Sequence, residues 1–351
     1  MCGFISSARP AAARGPRLVE FLLLLGLCLG GRHRLPADEV HYRDSAGELR
    51  SRSGTIMEYG GDTLTLQTSG RRLSIPAAQV AEIISDWPAS YSRAVEQMND
   101  GQYAAAIAQF REAFAEEQRA WVRPRILADV VVCFHNAGQF ENACVTFLQI
   151  LQQDPQTPYL ESMPLVWQPL ETPARLATRA RAWLAEANPP AIRLLAASWL
   201  LTAAADRAAA EQALRQLARG ADSPVALLAQ AQIWRNQLVT VTPEMLQAWQ
   251  ESLAKLPAAL RGGPTYLMGQ AQAKLDLHPD AELTLLRVAV LHPRQRTLGQ
   301  AALFAAAKSL QAAGATAEAR LIYQQAAELA PQSGLAQEAM ARAKELPETS
   351  P

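Results

Sequence analysis

Residues 90–118 read SYSRAVEQMNDGQYAAAIAQFREAFAEEQ and contain two amphipathic helical patterns that meet at Gly101. Ala94, Val95 and Met98 precede the glycine, and apolar residues follow it at steps of three and four, beginning at Tyr103. This spacing places one apolar face on each helix. Neither helix can bury its face alone, so the pattern predicts a helical hairpin that stacks against similar neighbours.

A second copy of this pattern follows at an offset of 37 residues. In it, Gly138, Phe140, Ala143 and Phe147 take the positions of Gly101, Tyr103, Ala106 and Phe110. The spacing Gly101-x-Tyr103-x-x-Ala106-x-x-x-Phe110-x-x-Ala113 resembles a tetratricopeptide (TPR) repeat, whose usual period is about 34 residues. The resemblance implies a binding scaffold built from residues 87–157 as TPR-like repeats.

The same character returns in residues 262–346, where Gly269, Ala281, Leu285 and Val288 recur at an offset of 38 residues. Between the two regions, we predict that residues 158–190 form a Pro-rich linker with one helix, because prolines interrupt the helical pattern there. Residues 191–257 predict helical hairpins that resemble either TPR or HEAT repeats. Residues 347–351 predict a disordered tail. The predicted fold class is mostly α, a right-handed α-solenoid of TPR-like helical hairpins preceded by a small β-barrel.

The predicted barrel occupies residues 38–86, where apolar and polar residues alternate between turns that contain glycine. Leu64 and Leu66 follow the turn at Gly60-Gly61-Asp62, and Leu73 and Ile75 follow a second turn at Gly70. A period of two between such turns is typical of short antiparallel strands. The module resembles an Sm-like or SH3-like barrel, some of which bind RNA.

The N-terminal residues 1–37 have the layout of a secretory signal. Three arginines precede the apolar run from Phe21 to Gly31, and roughly ten apolar residues after a basic segment are typical of export signals. The run is short for a membrane span, which needs about 20 residues. We therefore expect an exported protein of the periplasm or cell envelope. The cleavage site stays open, as does a lipid anchor on Cys28, so membrane contact is expected only through the leader or that lipid.

The net charge of the chain and the absence of known catalytic motifs argue against two classes of function, nucleic-acid binding and catalysis. The chain has 33 basic and 33 acidic side chains, which disfavours a nucleic-acid partner because phosphate binding needs an excess of Lys and Arg. The five histidines lack metal-ligand spacing, and the sequence has no phosphate-binding loop or nucleophile elbow. We expect no catalytic residues, no metal, no cofactor and no enzymatic activity.

Cys133 and Cys144 fall on the two helices of one predicted repeat. Export would permit a disulfide between them, whereas their apolar neighbours favour two small core residues. Both readings stay open at the level of sequence.

The TPR resemblance also implies a binding groove along the first helices of the repeats. The positions carried over are Tyr91, Met98, Asn99, Arg125, His135, Asn136, Tyr266, Gln270, Lys274, Phe304, Lys308 and Gln311. Lys, Arg and Asn at such positions hold a partner's C-terminal carboxylate in some TPR proteins. Here the candidate cations and amides are divided between the two ends of the chain, which argues against one joint clamp.

We therefore expect a non-catalytic scaffold that binds a protein or peptide partner through its solenoid. One alternative is a structural subunit of an envelope assembly that docks through the β module. The other is RNA or carbohydrate binding by the barrel, for which Arg50, Arg52, Arg71 and Arg72 would supply the charge. Fold resemblance alone does not choose among these functions.

Overall fold

The computed structural model describes residues 38–186, 189–220 and 223–347, in which a small antiparallel sheet precedes fourteen α-helices. The expectation of a mostly helical chain with a short β region at its start is confirmed. The predicted leader, including Cys28 and the cleavage site, lies outside the described residues, as does the tail beyond Pro347.

The sheet has five strands in the order β4-β3-β2-β1-β5, and every neighbouring pair is antiparallel. The strands are β1 Asp38–Arg43, β2 Leu49–Gly60, β3 Thr63–Thr68, β4 Arg71–Pro76 and β5 Val80–Ile84. Val40, Ile56, Leu64, Leu66 and Ile75 form its buried face, as the alternation predicts.

The sheet does not close, so the predicted closed barrel is not confirmed. Closure would need a ladder between β4 and β5, but a 3-10 turn at Ala77–Gln79 carries the chain away from β4, and β5 then pairs with β1. The two outer strands are therefore edges. The sheet also contacts the helices, since the Gly61 amide donates a 2.6 Å hydrogen bond to the Asp154 carboxylate.

The helices are mostly paired with their sequence neighbours. They are α1 Ala89–Asn99, α2 Tyr103–Glu116, α3 Val122–Asn136, α4 Phe140–Gln153, α5 Ala174–Ala185, α6 Pro190–Leu200, α7 Arg207–Leu217, α8 Pro224–Gln237, α9 Pro243–Lys255, α10 Gly262–Lys274, α11 His278–Leu291, α12 Arg296–Ala312, α13 Thr316–Leu329 and α14 Gly334–Glu345.

Four of these hairpins share one turn. Gly101, Gly138 and Gly314 have φ values of 77°, 72° and 84°, and Asp276 takes the equivalent position with φ 58°. In each case the next helix begins two residues later. The amide that follows the left-handed residue donates a hydrogen bond back across the turn. At Gly101, for example, the Gln102 amide donates to the Gln97 carbonyl at 2.8 Å. This is the hydrogen-bond pattern of a Schellman C-cap.

Most of the repeat positions that the sequence aligned are buried, whereas Gly138 is exposed and Tyr103 and Phe140 are half-buried. The fully or almost fully buried set is Ala106, Phe110, Ala113, Ala143, Phe147, Ile150, Ala281, Leu285, Val288, Ala307, Ala319, Tyr323 and Ala326. The offsets read from the sequence therefore correspond to equivalent packing positions.

Hydroxyl side chains cap two of the helix starts in the middle region. Ser223 and Thr242 cap α8 and α9 by accepting from the backbone amides of Ala226 and Met245. Thr172, in the same Thr-Pro context, instead donates a 2.6 Å hydrogen bond to the Trp199 carbonyl.

The Pro-rich linker before α5 is an ordered, buried segment. Met163, Leu165 and Val166 are each at most 7% exposed. The Val166 amide donates to Ser198 Oγ at 2.9 Å, and Gln232 Nε2 donates to the Val166 carbonyl at 3.1 Å. Residues 163–166 are thus held in an extended run against α6 and α8.

A further long-range contact joins α3 to the turn between α11 and α12. Arg294 pairs with Asp129, a residue 165 positions earlier, and Asn136 Nδ2 donates to the Arg294 carbonyl at 2.9 Å. The turn His292–Gln295 and the linker segment both lie against α3, and together they determine which predicted groove positions remain open.

Candidate functional site

The C-terminal groove lies between α10, α12 and α14. Its cavity volume is about 780 Å³. Five residues predicted from the sequence line it, namely Tyr266, Gln270, Lys274, Phe304 and Lys308. Gln168 of the linker and Glu338 of α14 contribute to its walls.

Helical spacing explains why these side chains share one surface. Tyr266, Gln270 and Lys274 are four residues apart on α10, and Phe304 and Lys308 are four apart on α12, so each set follows one helix face. Phe304 is positioned by an edge-to-face contact with Tyr323, whose ring centroid lies 5.3 Å away. The five predicted side chains of the groove are therefore all presented by helices.

The groove has two cations and an apolar floor. Lys274 and Lys308 are exposed, and neither makes an ion pair among the residues that the structure describes. Burial raises the pKa of Tyr266 to about 12, so its phenol stays protonated at neutral pH. Such a surface can pair with an acidic group while it contacts an apolar side chain.

Two buried polar atoms in the groove lack a hydrogen-bond partner. Ser309 is 2% exposed and its Oγ is unpartnered, and the Nδ1 atom of His278 is unpartnered as well. Buried polar groups are nearly always satisfied in proteins, so both atoms favour a polar group supplied from outside the chain.

The N-terminal groove positions are placed differently. Tyr91 is 5% exposed, its hydroxyl donates to Asp129 Oδ2 at 2.7 Å, and it accepts from Arg125 Nε at 3.1 Å. These side chains therefore hold α1 and α3 together. They face elements of this chain and not an open groove.

The remaining predicted positions of α1 and α3 meet the turn between α11 and α12. Met98, Asn99 and Asn136 line a cavity of about 300 Å³ with residues 292–296. His135 packs edge-to-face on Phe140, and burial lowers its pKa to about 4, which keeps the imidazole neutral at pH 7.

Gln311, the last predicted position, accepts a 3.2 Å hydrogen bond from the Tyr323 hydroxyl. The structure thus brings five of the C-terminal candidates together. Arg125 and Asn136 are not among the residues that line the C-terminal groove.

Sequence reasoning missed the residues that organise the interior, namely Asp129, Tyr159, Glu161 and Arg294. Asp129 could have been noticed, because it is a carboxylate in the apolar run from Ile126 to Phe134. Such a residue must find a partner when the helix is buried. Its partner Arg294 is too distant in sequence to be inferred from spacing.

The two cysteines are free and buried. Burial raises the pKa of the Cys133 thiol to about 12, so it is a weak nucleophile at neutral pH. Within the described part of the chain, no group of three or more His, Cys, Asp or Glu side chains is arranged to hold a metal ion.

Comparison of the chain with protein-family models and with curated proteins gives no match. Among the described helices, none combines the length and apolar character that crossing a bilayer requires. Function must therefore be inferred from the chemistry of the cavities.

Proposed function

We propose that the protein is a non-catalytic scaffold of the cell envelope that binds a protein or peptide partner in the C-terminal groove. The observation that carries this proposal is the convergence of Tyr266, Gln270, Lys274, Phe304 and Lys308 on one open cavity. A groove of this volume, with an apolar floor and few polar groups, has the composition of a ligand site.

The preferred partner segment carries an acidic group next to an apolar side chain. Lys274 and Lys308 supply positive charge that no carboxylate of the described chain neutralises through an ion pair. Phe304 and Tyr266 supply aromatic surface, which is typical of the positions that dominate binding energy. α10 and α12 are also the first helices of their hairpins, where the TPR resemblance implies binding.

The proposed architecture is a right-handed TPR-like solenoid with an Sm-like or SH3-like module at its N-terminal end. Support comes from the shared left-handed turn and from the buried, regularly offset small residues. An experimental structure in which the hairpins α10–α11 and α12–α13 stack with a left-handed rotation would contradict this architecture.

The proposed location rests on the leader pattern of residues 1–37. Export predicts that the mature protein in an envelope fraction begins after Gly31 or Ala37, which mass spectrometry of its N-terminus would detect. Incorporation of labelled palmitate that is lost in Cys28→Ser would favour the lipid-anchored alternative. An unprocessed chain confined to the cytoplasm would contradict export.

Site-specific photo-crosslinking in intact cells tests the groove. A photoreactive amino acid in place of Phe304 should yield a defined adduct, whereas the same group in place of the exposed Leu321 should not. The yield of this adduct should fall by about tenfold or more in the double variant Lys274→Glu plus Lys308→Glu. Lys344→Glu, an exposed lysine of α14 that does not line the groove, is the matched charge control. Equal adducts from positions 304 and 321 would refute groove binding.

A second candidate function is docking of the β module to an assembly. The observation in its favour is that β4 and β5 are the outer strands of the sheet among the described residues, and an outer strand can accept a strand from another chain. A crosslinker at the exposed Ser74 of β4 would then give the adduct that position 304 lacks. RNA binding is less favoured, because Arg50 already pairs with Asp44 and Glu48.

A further inference from the structure

A further cavity, partly open to solvent, lies between α3, the 3-10 turn at Leu160–Ser162 and the turn His292–Gln295. We call it the covered chamber. Its volume is about 220 Å³, and a smaller pocket of about 50 Å³ adjoins it. Its polar lining is contributed chiefly by Arg125, Asp129, Tyr159, Glu161, Arg294 and Gln295.

The positive charges of Arg125 and Arg294 in the covered chamber have different partners. Both oxygens of Asp129 are engaged, Oδ1 by Arg294 and Oδ2 by the Tyr91 hydroxyl. Arg125 donates through Nε to the same hydroxyl, which is an uncharged partner, and its guanidinium lies 5.6 Å from the centre of the Trp87 ring. One carboxylate thus serves two guanidinium groups.

Two further titratable groups, Glu161 and His292, line the chamber. Glu161 makes no ion pair in the described part of the chain, and burial raises the pKa of its carboxyl group. Burial lowers the pKa of His292, so that this imidazole is neutral. Arg125 is therefore the guanidinium group of the chamber whose described hydrogen bond goes to an uncharged partner and not to a carboxylate.

An unpartnered hydroxyl lies in the same wall. Tyr159 is 5% exposed, and its OH group makes no hydrogen bond although the atom is buried. Gln295 Oε1, also in the lining, is buried and unpartnered as well. A hydroxyl in this situation favours a ligand that can accept its hydrogen bond, because a buried donor left unpaired destabilises the protein.

We propose that the covered chamber binds a small organic monocarboxylate, with the carboxylate between the Arg125 guanidinium and the Tyr159 hydroxyl. Arginine and phenol donors together suit a planar acceptor with two oxygens. The ligand is small, since drug-sized pockets begin at roughly 300 Å³. Its apolar part contacts Val132 and Leu291, which line the chamber with the alanines at 128 and 259.

The experiment uses the full chain with acetate, propionate and benzoate, each compared with its neutral amide, in calorimetric titrations and thermal unfolding. We expect at least one carboxylate to bind and to raise the unfolding temperature, and its amide to bind at least tenfold more weakly. Equal binding of carboxylate and amide, or no binding by any of the three acids at millimolar concentration, overturns the proposal.

Tyr159→Phe is the decisive variant because the hydroxyl that it removes makes no bond within the protein. It should keep or raise the unfolding temperature of the unliganded protein and weaken carboxylate binding about tenfold. Tyr323→Phe, outside the chamber, should leave binding unchanged. Unchanged affinity in Tyr159→Phe would falsify the assignment.

The lysine variants separate this site from the C-terminal groove. Carboxylate binding should persist in Lys274→Glu plus Lys308→Glu and disappear in Arg125→Gln, with partial recovery in Arg125→Lys. The opposite pattern, with binding lost in the lysine variant and retained in Tyr159→Phe, places the ligand in the groove and overturns the proposal. The outcome is independent of whether the groove binds a peptide.

Discussion

Asp276 holds the position that glycine holds in three equivalent helix-to-helix turns. Its φ of 58° lies in the left-handed region, which costs a residue with a side chain free energy that glycine avoids. The neighbouring amide of Leu277 still donates to the Gln272 carbonyl at 2.9 Å, so the turn closes as the glycine turns do. The geometry is thus imposed by the hairpin and not by the residue type.

Exchanging residue types between these turns should change stability in opposite directions. Asp276→Gly should raise the free energy of unfolding by about 0.5–1 kcal/mol, and Gly314→Ala should lower it by about 1–2 kcal/mol. A methyl group at 314 meets no atom within 4 Å, so conformational strain is the only cost. Urea unfolding followed by circular dichroism measures both changes.

Gly334→Ala is the matched control, because residue 334 also has open space but lacks a positive φ. It should be neutral or stabilising by up to about 1 kcal/mol. If Gly314→Ala and Gly334→Ala had the same effect, strain at the shared turn would be excluded.

At the level of elements, the linker before α5 packs against α6, α8 and α10. Its Trp167 ring lies so close to Gly263 of α10 that an added Cβ would come within 2.0 Å of the ring. Its backbone is held by side chains from α6 and α8, including Trp199 Nε1, which donates to the Pro164 carbonyl at 2.9 Å. The segment therefore connects the middle hairpins with α10.

Ser198→Ala tests this role. Ser198 Oγ accepts from the Val166 amide, so its removal leaves a buried N–H without an acceptor. We expect a loss of about 1–3 kcal/mol in the free energy of unfolding, with faster hydrogen exchange in residues 163–168. Ser92→Ala, at an exposed position of α1, is the control. A loss no larger than in that control would mean that the linker is held by apolar contacts alone.

At the scale of the whole molecule, Asp129 and Arg294 tie α3 to the turn before α12. The Asp129 side chain is 3% exposed and Arg294 is 42% exposed, so the pair joins a buried carboxylate to a partly solvated cation. Removing only the cation leaves the carboxylate with Tyr91 as its remaining hydrogen-bond partner among the contacts described. The contact also forms one wall of the covered chamber.

A double-mutant cycle of Asp129→Asn and Arg294→Gln should give a coupling energy of about 1–2 kcal/mol in urea unfolding. The exposed pair Arg342 and Glu345, at 3.6 Å, should couple by less than about 0.5 kcal/mol in a parallel cycle. Coupling near zero for both pairs would show that apolar packing alone holds the turn against α3.

Much of the helical architecture could be predicted from the sequence, because its signals act over three to five residues. The apolar spacing around Phe110 and Phe147 specifies a buried helix face, and Gly101 and Gly138 mark the turns. The face shared by Tyr266, Gln270 and Lys274 was predictable for the same reason. The presence of the helices, and the helix face that lines the C-terminal groove, could therefore be predicted from the spacing of neighbouring residues.

Contacts between distant residues decided the rest. Whether β5 would pair with β4 depended on the path after Pro76, and whether the face with Arg125 and His135 would stay open depended on the linker and on Arg294. Such pairings are separated by tens to more than a hundred positions, and many partners of similar chemistry compete for each of them. The covered chamber exists only because burial and closure over these distances bring its charged groups together, for which the sequence contains no local pattern.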